Sequence, residues 1–186
     1  MEIIKTDIEG LLIIKPRVFE DERGYFFESW SKESFSANGI DINFVQDNQS
    51  LSSKGVIRGL HFQNPPYEQG KLVRVIKGAV LDVAVDIRKN SPTYGKYCSV
   101  KLSEDNKKLF WIPPGFAHGF LTLENNTIFS YKRDFKLLCM YLFDSNWFKK
   151  NVSPKRKKNL YESINKESSK KKLTSLRQLN HNILSD

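Results

Sequence analysis

Along the first 130 residues the apolar positions come in short runs broken by glycine, proline and asparagine, with none of the sustained three-and-four spacing of long helices. Leu11-Leu12-Ile13-Ile14 is a compact apolar run stopped by Pro16, and Gly24 to Trp30 is aromatic and strand-like. From Lys71 to Arg88 the chain reads as two β-rich runs hinged at Lys77-Gly78. Strict alternation there puts Val80, Asp82, Ala84 and Asp86 on one face and Leu81, Val83, Val85 and Ile87 on the other. Tyr97–Leu102 and Lys108–Ile112 are two further strand candidates. Phe120–Leu123 and Thr127–Tyr131 read as a hairpin around Glu124-Asn125-Asn126. One short helix is predicted over 31–38, with Ser31 as N-cap and Gly39 just past its end. Many short strands joined by Gly and Pro turns predict an all-β sandwich or jelly roll.

Past Lys132 the pattern changes. Lys136–Phe148 is apolar without a clean period, Asn151–Lys172 is rich in Lys, Ser and Asn, and Leu173–Leu184 carries a weak helical stripe. Charge divides at the same place. Residues 1–130 hold 16 Lys+Arg and 16 Asp+Glu, so the net +9 of the 186-residue chain lies wholly beyond them. The basic balance therefore describes a divergent tail, helical or disordered, and not the folded body. A nucleic-acid role would rest on that tail alone, and its lysines lack interleaved aromatics or a recognised motif. No apolar run reaches the length of a membrane span, and the first ten residues do not spell a signal peptide. Two cysteines, Cys98 and Cys139, give no disulfide framework and suit a reducing cytoplasm.

The body has only two histidines, each beside glycine and apolar residues: His61 in Arg58-Gly59-Leu60-His61-Phe62-Gln63, and His118 in Pro113-Pro114-Gly115-Phe116-Ala117-His118-Gly119-Phe120. The second spelling recurs in cupins, many of which bind metal. Here position 63 is Gln and Glu68 is the only nearby acid, a poor ligand set, so no metal and no cofactor are expected. Arg23, Arg58 and Lys71 stand beside glycines or strand starts, Gln46-Asp47-Asn48 is a compact polar run, and Tyr131 ends the last convincing strand. Cations, amides, a His and a Tyr turned into a small barrel would suit an anionic, hydroxyl-rich ligand and acid–base chemistry.

Eight stretches in order resemble the dTDP-4-dehydrorhamnose 3,5-epimerase family. They run from Pro16-Arg17-Val18-Phe19 with Asp21-Glu22-Arg23-Gly24, through Phe44–Asn48, Lys54–Gln63, Gln69–Arg74, Asp82–Arg88 and Ser91–Gly95, to Pro113–Phe120 and Tyr131-Lys132. The resemblance covers about residues 1–132 and implies a cupin-type double-stranded β-helix, a homodimer with exchanged strands, and no cofactor. The implied reaction inverts C3 and C5 of dTDP-4-dehydro-6-deoxy-D-glucose through an enolate, on the route to dTDP-L-rhamnose. It implies His61 as base, Tyr131 as acid and Lys71 as the cation facing the enolate oxygen. Arg23, Glu28, Gln46, Asp47, Asn48, Arg58 and His118 match substrate-contacting positions. Reference pKa values agree with those roles, since an imidazole near 6.5 can accept a proton at neutral pH while a phenol near 10 still holds one.

Residues 133–186 depart from that pattern. Arg133-Asp134-Phe135-Lys136-Leu137 replaces paired aromatics, with Leu137 where a stacking tyrosine belongs. Ser168–Leu173 lacks the late aspartate that orients the catalytic histidine in the family. Asp82 or Asp86 is the candidate substitute orienter of His61. Two readings stay open on these grounds: an epimerase, or a catalytically impaired cupin that binds nucleotide sugar without efficient turnover.

Overall fold

A computed structural model describes residues 1–134. The tail, with Cys139, Leu137, Trp147, the echo at 168–173 and the stripe at 173–184, lies outside the described residues. Twelve strands and one short helix follow one another: β1 (Glu2–Lys5), β2 (Leu12–Lys15), β3 (Phe19–Asp21), β4 (Gly24–Phe26), α1 (Lys32–Ser36), β5 (Gln46–Ser52), β6 (Ile57–His61), β7 (Lys71–Lys77), β8 (Ala79–Asp86), β9 (Tyr97–Ser103), β10 (Leu109–Ile112), β11 (Phe116–Thr122) and β12 (Thr127–Arg133). A six-stranded sheet has the order β1-β2-β10-β7-β12-β5, a four-stranded sheet β6-β11-β8-β9, and β3-β4 form a separate ribbon. All pairs are antiparallel. From β5 to β12 the chain passes repeatedly between the two large sheets, which is the jelly-roll arrangement expected of a cupin.

Alternation along each strand builds the core. Val80 and Ala84 of β8 join Val73, Val75, Phe110, Phe116, Phe120 and Phe129 between the two sheets. Phe120 and Phe129, one from each sheet, stack with centroids 4.2 Å apart. The other face of β8 packs separately: Leu81 meets Leu121 and Leu123, and Val83 and Val85 meet Ala117. On the outside of the six-stranded sheet, Phe35 of α1 and Ile40 cover Ile14, Leu72, Leu109 and Trp111. Ser31 caps α1 as predicted, its side chain accepting from the Ser34 N–H.

Two local expectations needed correction. Phe27–Trp30 is not strand, so the aromatic run ends as β4 at Phe26. The run before Glu124 and the run after it do not pair as a hairpin. β11 bonds to β6 and β8, whereas β12 bonds to β5 and β7. A turn between two apolar runs looks the same in sequence whether the chain folds back on itself or crosses to the facing sheet. Gly78 makes the neighbouring crossing, with φ +78°, and a Cβ there would lie 2.4 Å from Thr127 Oγ1.

At the far end of β8, Asp86 is fully buried and accepts from Arg88 Nε (2.9 Å), Arg88 Nη2 (2.8 Å), Ser91 Oγ (2.6 Å) and Thr93 Oγ1 (2.6 Å). Burial pushes its pKa up, but the Arg88, Ser91 and Thr93 hydrogen bonds outweigh burial and hold it at about 2. A carboxylate lowered on folding stabilises the fold above its ordinary value near 3.9, and that contribution fades as pH falls toward about 2. Asp86→Ala is expected to destabilise the chain by about 1–3 kcal/mol by removing the buried acceptor shared by Arg88, Ser91 and Thr93. Urea unfolding at neutral pH measures this, and an unchanged midpoint would show the cluster to be idle.

Candidate active site

The six-stranded sheet supplies one wall of the interior. Lys71 is the Cα partner of Arg133, and Arg133 of Gln46. Two residues along each strand, Val73 partners Tyr131 and Tyr131 partners Asn48. Val73 belongs to the inter-sheet core and Tyr131 packs against it, so both rows face inward. Lys71 is 7% exposed, and its Nζ lies 3.5 Å from the His61 carbonyl oxygen.

The facing wall comes from the four-stranded sheet, where His61 partners His118 and Arg58 partners Phe120. Arg58 and His61 are three residues apart, and a regular strand would turn them to opposite faces. A β-bulge removes that conflict: three steps on β6 match two on β11. Gly59 and Gly119 make it sterically possible. Gly59 has φ +123°, and a Cβ on it would lie 2.5 Å from Gly119 Cα; a Cβ on Gly119 would lie 2.6 Å from the Arg58 carbonyl oxygen. The bulge thus turns Arg58 and His61 to the same face of β6.

Both oxygens of buried Asp82 lie 2.9 Å from His118 Nε2. Asp82 is therefore committed to His118, and Asp86 to Arg88, Ser91 and Thr93. These are the partners of the two candidate orienters of His61, and the Asp82–His118 pair stands directly across the ladder from it.

Positive charge dominates the chamber. Partial burial is the largest cause lowering the His61 pKa, followed by Lys71, His118, Arg133 and Arg58, and together they bring it to about 4. His61 is thus neutral near pH 7. Burial and then Arg133 push Lys71 down to about 8, against the opposing pull of Asp82. Among the described residues, buried Gln46 Oε1, Asn48 Nδ2, Gln63 Oε1 and Arg133 Nε have no hydrogen-bond partner. Such atoms cost about 1–3 kcal/mol each when left unpaired, so two acceptors and two donors here could be satisfied by a polar ligand.

Other sequence candidates lie elsewhere. Arg58 reaches over β5, donating to Ser52 Oγ (3.0 Å) and the Leu51 carbonyl (3.2 Å). Asp47 faces outward in an ion pair with Lys132. Arg23 sits on the β3–β4 ribbon in an ion pair with Asp21, its side chain 83% exposed, and Glu28 accepts from Ser34 Oγ. The residue that sequence reasoning missed is Arg133. Its signal was present, since it stands two positions after Tyr131 and shares that strand's inward face.

The family pattern of dTDP-4-dehydrorhamnose 3,5-epimerase matches residues 5–161. The chain belongs to the dTDP-4-dehydrorhamnose 3,5-epimerase family. The match runs past residue 132, where the recognisable stretches end. A Shigella flexneri relative carrying that name is 57% identical over 133 residues, 71% of this chain and 74% of its own length. A Methanothermobacter thermautotrophicus relative is 56% identical over 129 residues, 69% of each chain. Among solved structures, the Legionella pneumophila epimerase in complex with dTDP-4-keto-L-rhamnose superposes with a TM-score of 0.71 at 51% identity, covering 73% of this chain and 72% of that one. The Bacillus anthracis enzyme with TDP and PPi bound gives 0.71 at 44% identity, covering 73% and 78%. Among the described residues no helix is long and apolar enough to cross a membrane, and no three His, Cys, Asp or Glu side chains converge as metal ligands.

Proposed function

We propose that this isomerase converts dTDP-4-dehydro-6-deoxy-D-glucose to dTDP-4-dehydro-L-rhamnose, inverting C3 and C5 during dTDP-L-rhamnose biosynthesis. The observation that carries the assignment of roles is the two-sided chamber. His61 comes from one sheet, Tyr131 from the other, and Lys71 reaches between them. Removing a proton beside a ketone leaves an electron pair that spreads onto the ketone oxygen. Inversion then requires a proton from the opposite face. His61, neutral near pH 7, accepts the first proton, Tyr131 returns one, and Lys71 faces the oxygen that turns negative. His118 is fixed by Asp82 and offers its other ring nitrogen to the sugar. Gln46, Asn48 and Arg58 hold hydroxyl and phosphate oxygens. No observation among the described residues favours the impaired alternative.

The site is completed by a second copy of the chain in this reading. Among the described residues the β3–β4 ribbon pairs only with itself, and it exposes Phe19, Tyr25 and Phe26 beside Arg23. On a homodimer that ribbon would bring Arg23 and Glu28 to a neighbouring chamber. In this reading the epimerase-like domain is the body of the chain, the enzyme works in the cytoplasm, and no cofactor takes part.

The test is solvent deuterium exchange, with NMR of the 4-keto sugar in D2O. The expected result is deuterium at both C3 and C5 with accumulation of the L-rhamno product. Binding without exchange at either carbon would favour the impaired reading, and exchange at one carbon alone would narrow the reaction to a mono-epimerisation.

A further inference from the structure

We propose that Arg133 is a second cation for the oxygen that becomes negative during the reaction, working beside Lys71. This rests on the epimerase reading above, and it assigns a task to a residue that the recognised motifs leave out.

Placement comes first. Arg133 is the last residue of β12 and lies in register between Lys71 and Gln46 on the inward face. Its guanidinium carbon is 5.0 Å from the centroid of the Tyr131 ring. It therefore adjoins the groups assigned to the ketone and its flanking carbons. Arg58, by contrast, stands on the opposite sheet and donates to Ser52 Oγ and the Leu51 carbonyl.

Its bonding is unfinished. Nε is buried and has no hydrogen-bond partner among the described residues. The nearby carboxylates are taken: Asp134 accepts from the Gly70 N–H at 2.8 Å, Asp82 holds His118, and Asp47 holds Lys132. Burial lowers the Arg133 pKa, but a guanidinium stays charged in proteins. A buried, charged N–H without an acceptor is costly, and a ligand oxygen would supply the acceptor.

The chemistry selects which oxygen. When the C–H bond beside the ketone breaks, its proton goes to His61. Its electron pair forms the C=C bond, and the former C=O π pair rests on oxygen. Tyr131 then supplies the proton for the new C–H bond, and the pair resets when the His61 imidazolium releases its proton to solvent and the Tyr131 phenolate takes one up. Charge on that oxygen exists only between these steps. A cation aimed there strengthens its hold at the transition state and affects kcat more than KM.

The two neighbouring cations also influence each other. Facing Lys71 are Arg133 on β12, His61 on β6 and Asp82 on β8. Arg133 is the largest charge effect depressing Lys71. Removing it should raise the Lys71 pKa and move the alkaline fall in kcat to higher pH.

The experiment compares Arg133→Met and Arg133→Lys in the full-length chain, by deuterium exchange at C3 and C5 and by calorimetric binding of dTDP. Arg133→Met is expected to lose at least about tenfold in kcat, toward the roughly 10²–10³ seen when one oxyanion donor is removed. KM and dTDP affinity should stay within about twofold, and the alkaline limb should rise. Arg133→Lys should recover most of the rate and restore the limb, which a role in packing alone would not produce. Wild-type kcat in Arg133→Met overturns the proposal, as does a tenfold loss of dTDP affinity, which would move Arg133 to the diphosphate. A wild-type chain that exchanges no deuterium overturns the epimerase reading, and the proposal with it.

Discussion

His61→Ala is expected to reduce deuterium exchange at C3 and C5 by about 10²–10⁴, the usual contribution of a positioned general base. dTDP affinity should change by less than about tenfold, because the phosphate-side groups lie elsewhere. The pH profile separates this role from a structural one. In the free chain His61 sits at about 4, so kcat/KM should hold its plateau down to mildly acidic pH and fall only as the imidazole protonates. An unperturbed histidine would fall near 6.5 instead. A bound diphosphate offsets part of the cationic field, so the acid limb of kcat should lie above that of kcat/KM. Exchange at the wild-type rate in His61→Ala would remove His61 from the base role.

Lys71→Met is expected to lower kcat by about 10²–10³, comparable with removing one donor from an oxyanion hole. The effect should exceed that of an exposed lysine because Lys71 is buried, and charge acts more strongly away from water. The sign of its pH dependence is fixed by its lowered pKa. Lys71 is charged below about 8 and loses its charge above that value, so wild-type kcat should decline in mildly alkaline solution. Lys71→Arg would restore charge but not shape, and the alkaline decline should vanish. If Lys71→Met keeps both the rate and the alkaline decline of the wild type, the electrostatic assignment is wrong.

Much of the fold was legible because the strands follow a two-residue period. The alternation of Val80, Asp82, Ala84 and Asp86 against Leu81, Val83 and Val85 separated the two faces of β8, without saying that the face carrying the two aspartates is the one that meets the inter-sheet core. Ser31 was legible as a cap because its hydroxyl has a local task. What periodicity leaves undetermined is partnership. It could not say that the runs on either side of Glu124 go to different sheets, nor that Asp82 would turn to His118 while Asp86 tied down Arg88. Both are decided by contacts between residues far apart in the chain. The chamber itself was legible as a list of chemically apt residues, and Arg133 was not among them because it lies one residue beyond the last family-like stretch, Tyr131-Lys132.

The bulge on β6 also constrains how this segment can change. The strand carries one residue more than its partner between the two positions that matter, so inward and outward alternation resumes there in corrected phase. Losing a single residue between Arg58 and His61 would cancel the correction and turn one of the two side chains to the other face of the strand, with composition almost unaltered. Gaining one would do the same. Substitutions along much of this strand are graded in their effects, but at Gly59-Leu60 a change in length is all-or-none. The spacing of Arg58 and His61 is thus inherited as a unit, and any lengthening or shortening of the chain must be accommodated before Arg58 or after His61.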